Sequence, residues 1–210
     1  MANRYLRAGA GMGYLVLGTT SEYTYSGNDK GSSAKQDCTL FRPIPADVPA
    51  TDEDPALKFG LLGDYLQQGY TKVATGSSNT VCPQRENPTD VAAAMAPKRW
   101  QQVWTKELKS KSETLTFWQP IPYPNYRALG WVATFTVGVP AQPDVPDYLC
   151  VHWTFTVETE IGPALWNDRG AGKHDGTPDY TFYAVQGLPN AFVGQPGHDK
   201  PFVGTVYKLK

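Results

Sequence analysis

One unit recurs about three times along this chain, and a chain that repeats itself must fold as a stack or ring of like units. Thr39-Leu-Phe-Arg-Pro-Ile-Pro45 is matched by Thr116-Phe-Trp-Gln-Pro-Ile-Pro122 and, more loosely, by Tyr180-Thr-Phe-Tyr-Ala-Val185. Each alternates apolar and aromatic residues as a strand does, and each stops at Pro or at a Gly-Leu-Pro turn. A second element ends in glycine: residues 13–18, 59–63 and 125–130, with 191–194 as a shortened copy. Its terminal Gly suits a bulge or a close backbone approach. A third element precedes the aromatic strand. It is Gly27-Asn-Asp-Lys-Gly-Ser-Ser33 in the first copy and Trp166-Asn-Asp-Arg-Gly-Ala-Gly172 in the third. In the second copy it is Trp104-Thr-Lys-Glu-Leu-Lys109, without the glycines. Asn-Asp followed by Gly is turn chemistry.

The unit therefore reads polar turn, aromatic strand, Pro-rich corner, Leu-Gly strand. The approximate repeats are 19–70, 98–137 and 150–210, in one domain. The strand at 13–18 is expected to close the ring against the C-terminal unit, which would remove a sheet edge. The period-2 segments 131–137 and 150–159 are expected to face each other as a hairpin. One short helix is expected at 90–96, capped by Asp90 or Thr89 and ended by Pro97.

The blocks together resemble a known family. Trp166, Asp168, Gly170 and Gly172, then Phe117, Trp118, Pro120 and Pro122, then Tyr126, Leu129 and Gly130 follow its pattern. Asp29, Gly31, Phe41, Pro43, Pro45, Leu62 and Gly63 repeat it. The pattern is similar to the vacuolar protein sorting sixty-two-like domain, found in plant and fungal proteins of uncharacterised function. Related β-prism modules occur in multivesicular-body-associated proteins and beside pore-forming toxin domains. The resemblance implies an all-β fold, a β-prism of pseudo-three-fold antiparallel sheets, with no established catalytic residues. The chain departs from the pattern after Trp104, where Thr-Lys-Glu replaces the Gly-rich turn, and at Gly187-Leu-Pro, which replaces the Pro-x-Pro corner.

Composition excludes several functions. Net charge is −1, so no nucleic-acid footprint is present. Lys98, Arg99, Lys106, Lys109 and Lys111 are the only basic cluster, diluted by Glu107 and Glu113 into a solvated face. No apolar run reaches the roughly 18 residues of a membrane-spanning helix. The start carries no signal-peptide core, so a cytoplasmic location or export without a classical signal is expected. Cys38, Cys82 and Cys150 lack metal spacing and are expected as free structural thiols, with a Cys38–Cys82 bridge as the alternative.

No catalytic set stands out: Gly-x-Ser-x-Gly, His-Glu-x-x-His and a phosphate-binding Gly loop are all missing from the sequence. His198-Asp199 sits in a Gly/Pro loop with no nucleophile nearby in sequence. The candidate ligand-binding residues are Asp29, Asp168, Gly60, Asp64, Tyr123 and Tyr126. Gly60-Leu-Leu-Gly-Asp64 has a Gly-x-x-x-Asp spacing that resembles the sugar-binding corner of jacalin-like lectins. Asp168, His174 and Asp175 lie in the most polar stretch. Read functionally, it holds a cation such as Ca²⁺, with Asp168 and Asp175 as ligands, or a sugar hydroxyl; read structurally, it is an Asx-turn. Otherwise no cofactor is expected. Trp118, Trp131 and Trp153 are expected in the core, and Tyr123, Tyr126 and Tyr148 exposed beside Pro-rich corners. The functional expectation is a non-catalytic module whose apical loops bind a glycan or a membrane surface. The alternative is a stand-alone toxin or defence protein that docks on host membranes.

Overall fold

Aromatic and β-branched alternation places each repeat's strand in the middle of a three-stranded antiparallel sheet, in a computed structural model describing residues 4–51, 55–109, 112–171 and 178–210. The first sheet is Tyr23–Asn28, Cys38–Pro43 and Tyr65–Gln68. The second is Arg99–Leu108, Glu113–Ile121 and Val132–Thr136, and the third is Ile161–Asn167, Tyr180–Val185 and Phe192–Pro196. These sheets fall within the three repeats. Together they make an all-β prism of three pseudo-equivalent antiparallel sheets in one domain.

Register shows how exact the repetition is. Gly27 pairs with Leu40, Trp104 with Phe117, and Trp166 with Phe182. In each sheet the register slips immediately before that first residue, so Ser26, Val103 and Leu165 are bulge residues at matching places. Leu40, Phe117 and Phe182 are fully buried and point into one shared core. There Phe117 stacks on Phe182 with centroids 4.0 Å apart, and Trp104 meets Trp166 edge-on at 5.3 Å.

The Leu-Gly elements stitch the opposite end together. Asp64 N donates to Trp131 O at 2.9 Å, and Trp131 N donates to Phe192 O at 2.8 Å. These bonds make Gly63, Gly130 and Ala191 equivalent. A Cβ on Gly130 would lie 2.8 Å from Leu62 O and 3.1 Å from the Ala191 Cβ, so the chains cross where glycine permits it. The third copy is therefore aligned on Ala191 rather than on Gly194.

A second set of short strands covers this end. Arg4–Leu6, Tyr14–Thr20, Ser78–Gln84 and Gly60–Leu61 form one sheet. Tyr126–Arg127, Cys150–His152 and Ala94–Met95 form another, and Thr156–Thr159 pairs with Val206–Leu209.

Three expectations are corrected here. The strand at 13–18 does not pair with the C-terminal unit. It belongs to Tyr14–Thr20, which lies between Arg4–Leu6 and Ser78–Gln84, because seven consecutive pairs with the latter satisfy its backbone. The hairpin across 131–159 does not form: Val132–Thr136 pairs with Glu113–Ile121, and Cys150–His152 pairs with two other strands. The segment at 90–96 is extended. Asp90 caps no helix: its carboxylate accepts from Asn87 N at 2.9 Å, three residues before it, and closes the preceding turn, after which Val91 bridges to Met12 and Ala94–Met95 joins a sheet. Pairing of buried backbone overrides the local helix preference of the alanine run.

Candidate binding surface

The polar turns converge on one end of the prism. In the first sheet Asp29 is 1 % exposed; its Oδ1 accepts from Cys38 N at 2.9 Å and its Oδ2 from Ser32 Oγ at 3.1 Å. In the third sheet Asp168 is 2 % exposed, and its Oδ1 accepts from Tyr180 N at 3.0 Å. Ser32 N and Ala171 N close matching turns on the backbone carbonyls of these aspartates, each at 2.8 Å. The two turns touch, with Lys35 N donating to Arg169 O at 2.8 Å.

Each aspartate also receives an indole from the next sheet. Trp166 Nε1 donates to Asp29 Oδ2 at 2.9 Å, and Trp104 Nε1 donates to Asp168 Oδ2 at 2.6 Å. The third link of the ring would run from position 27 to position 106. The chain has Gly27 and Lys106 there, and the Phe135 ring takes up the space beside Gly27. Burial raises the Asp29 pKa, partly offset by bonds from Cys38 N, Trp166 and Ser32.

Two further positions complete each turn. Asp37 and Asp179 immediately precede the central strands and accept at their carbonyls from Gly69 N at 2.8 Å and Gly197 N at 2.7 Å. Tyr70 and His198 follow those glycines, and Val137 holds the matching place after Thr136. Tyr70 bonds the Asp37 side chain; partial burial and the nearby Asp29 and Asp37 carboxylates push its phenol pKa up. His198 Nε2 meets Asp168 Oδ1, and its Nδ1 is 3.9 Å from Asp179 Oδ2. Ligand atoms of Asp168, Asp179 and His198 all lie within 4.8 Å of one another. Beside them Arg169 pairs with Asp199. His174, Asp175 and Lys111 lie outside the described residues.

The loops leaving the third strands at this end carry apolar tips. Val73 is 71 % exposed, Val137 91 % and Val203 84 %. Val73 N donates to Thr71 Oγ1 within its own loop, which Thr71 N ties to Thr39 Oγ1 of the central strand at 3.1 Å, and Val203 N donates to Gln195 Oε1 of the third sheet at 2.7 Å.

The other sequence candidates lie elsewhere. Asp64 is fully buried, and Arg42 grips it from both sides, Nε to Oδ1 at 2.9 Å and Nη2 to Oδ2 at 3.0 Å. Ala133 N adds a third bond to Oδ2 at 2.9 Å, so Asp64 ties the first sheet to the second. Gly60 is buried under Leu149 and the Asp147 carbonyl, each within 2.7 Å of where a Cβ would stand. Tyr123 and Tyr126 sit at the opposite end from the polar turns, beside the corner that ends Glu113–Ile121. Tyr123 is exposed, whereas the half-buried Tyr126 donates to Ala92 O at 2.8 Å and packs against His152.

Two aromatic assignments are reversed. Tyr148 is fully buried and donates to Gly130 O at 2.6 Å. Trp153 is half-exposed on the short 3₁₀ turn Trp153–Phe155, beside His152. Trp118 and Trp131 are in the core as expected. Cys38, Cys82 and Cys150 are free and buried. Sequence reasoning passed over Arg42, because nothing local shows that its partner lies in the next strand. It passed over His198, because only the tertiary fold brings it to Asp168. The three valines left a faint signal, since each stands beside or near a Gly in a loop.

No curated protein matches this sequence. Among solved structures, GNIP1Aa from Chromobacterium piscinae is similar, with a TM-score of 0.70 and 24 % identity over 90 % of this chain. This chain spans 34 % of that protein's length, and the likeness concerns the fold. The family model for vacuolar protein sorting-associated protein 62 matches residues 12–188, and the chain belongs to that family.

Proposed function

We propose that the chain is a non-catalytic recognition module that docks on a membrane surface through the turn end of the prism. The observation that carries this reading is the set of Val73, Val137 and Val203, three strongly exposed aliphatic residues on the three loops that leave the sheets at the turn end. Apolar tips held on a rigid β scaffold gain free energy by leaving water for the boundary between headgroups and acyl chains, about 25 cal/mol per Å² removed from water. Lys30, Lys35, Lys72, Lys109 and Lys200 stand exposed around them, Asp37 and Asp179 offset part of that charge, and Arg169 is paired with Asp199, which leaves only a small basic excess. The apolar tips rather than an excess of charge therefore drive the contact, and 0.5 M salt is expected to leave most of it intact.

The test is flotation of the protein with phosphatidylcholine vesicles, with and without phosphatidylserine. Binding is expected to both, and Val73→Asp/Val137→Asp/Val203→Asp is expected to lower it at least about tenfold, since each inserted charge opposes transfer. Absence of binding to either vesicle would sink the reading. A toxin or defence protein would use the same docking step. The pairing of Val132–Thr136 within its own sheet leaves no free hairpin at 131–159 for pore formation.

The glycan reading is favoured by one observation at the other end. There Trp153 is 51 % exposed and Tyr123 42 %, and Trp153 N donates to Asn125 O at 2.9 Å, joining their turns. Such rings stack on sugar faces. A glycan array screened with the protein and with Trp153→Ala tests it; signals that the substitution leaves unchanged count against this corner.

A further inference from the structure

We propose that Asp168, Asp179 and His198 form a binding site for a divalent transition cation, with zinc the best match. The three side chains come from three separate segments of the third sheet: the turn after Ile161–Asn167, the residue before Tyr180–Val185, and the loop after Phe192–Pro196. Their ligand atoms already lie within 4.8 Å of one another. Two bonds hold the frame, Tyr180 N to Asp168 Oδ1 and Gly197 N to Asp179 O. Trp104 fixes the other carboxylate oxygen of Asp168, so Oδ1 is aimed at the imidazole. A cation takes the place of the proton between His198 Nε2 and Asp168 Oδ1, Asp179 supplies the third ligand, and water completes the shell. One imidazole and two carboxylates suit zinc and its neighbours. Calcium, which takes six to eight oxygens, is a poorer match.

The internal repeat separates what the fold needs from what this site adds. Asp29 performs the same structural task as Asp168, accepting from the first N–H of its central strand and from an indole. It does so with Tyr70 where the third sheet has His198, and with Asp37 where it has Asp179. The second sheet has Lys106, Thr114 and Val137 at the matching places. A histidine is therefore not required at this position to build the turn. Among the described residues, only the third copy combines the buried carboxylate with a nitrogen ligand. The Asp168 side chain is closed to solvent, that of His198 is 16 % exposed, and that of Asp179 is 63 % exposed, so a cation enters from the Asp179 side. This inference stands apart from membrane docking, because it concerns an ion rather than a surface.

The test is calorimetric titration of the 210-residue chain with zinc chloride, with thermal unfolding followed with and without zinc. One equivalent is expected to bind and to raise the melting temperature. His198→Tyr installs the residue that the first sheet uses, so its fold and zinc-free melting temperature are expected to match those of the parent. Its zinc affinity, and that of Asp179→Asn, is expected to fall by about tenfold or more, with loss of the zinc-induced stabilisation. His152→Gln serves as a control expected to bind as the parent does. Failure to bind zinc at millimolar concentration would overturn the site. So would zinc binding that both variants leave unchanged, or calcium binding as tight as zinc that survives His198→Tyr.

Discussion

Asp64 shows at the scale of one residue how a polar group becomes part of the scaffold. Three donors surround its carboxylate: two from Arg42 and one from the Ala133 backbone. Removing it leaves a buried amide without its acceptor, and a guanidinium, whose side chain is only 26 % exposed, with the Ala133 and Asp144 carbonyls alone. Asp64→Ala is expected to lower stability by about 2–4 kcal/mol, less than for a fully dry pair because Arg42 keeps some water. Urea unfolding followed by tryptophan fluorescence measures this, and a change below about 1 kcal/mol would show that the Ala133 and Asp144 carbonyls suffice for Arg42. The Gly-x-x-x-Asp spacing is plain in the sequence, but the distinction between a solvent-facing sugar ligand and an internal tie is not. That distinction depends on Arg42, 22 positions away, reaching across the same sheet. Asp29 and Asp168 repeat the lesson: turn chemistry marks both, yet their indole partners lie 137 and 64 positions distant.

At the scale of the element, the three sheets are copies whose differences compensate one another. Two indole–carboxylate links are present, and the third is replaced by packing of Phe135 against Gly27. A Cβ at position 27 would stand 2.7 Å from three carbons of that ring, nearer than atoms approach. Gly27→Ala is accordingly expected to cost about 1–3 kcal/mol through overpacking. In a Phe135→Ala background the same substitution is expected to cost much less, and a double-mutant cycle from denaturant midpoints measures the coupling. Equal costs in both backgrounds would locate the strain in the backbone instead. The repeat that predicted three units was readable because strand alternation and Pro corners are local. The bulges at Ser26, Val103 and Leu165 were not, since a bulge is defined only by the strand opposite.

At the scale of the molecule, three buried thiols report on how the prism opens. Cys38 belongs to the first sheet, whereas Cys82 and Cys150 belong to two sheets of the covering layer, so no single loop movement exposes all of them. Burial pushes every thiol pKa up, that of Cys38 well above the usual range and that of Cys150 to about 12. At pH 8 the folded protein is therefore expected to react with a thiol reagent at a small fraction of the rate of a free cysteine, and the unfolded chain is expected to yield three thiols. Single-exponential labelling of all three at the rate of global unfolding would mark the prism as one cooperative unit. Fast labelling of Cys82 alone would show that the covering layer opens first.

The sequence by itself determined the class of fold, the number of units and the order of parts within each, because strand alternation, turn residues and Pro corners act over a few neighbouring positions. It also carried the family resemblance that the match over residues 12–188 bears out. Only the tertiary structure decided which strands pair, since segments 13–18, 90–96 and 131–159 each satisfy their backbone groups with distant partners. It also decided where the polar residues go. Asp29, Asp64 and Asp168 were drawn inward because the prism supplies buried donors that no local pattern announces, while Val73, Val137 and Val203 stand outside on the loops that leave the three sheets.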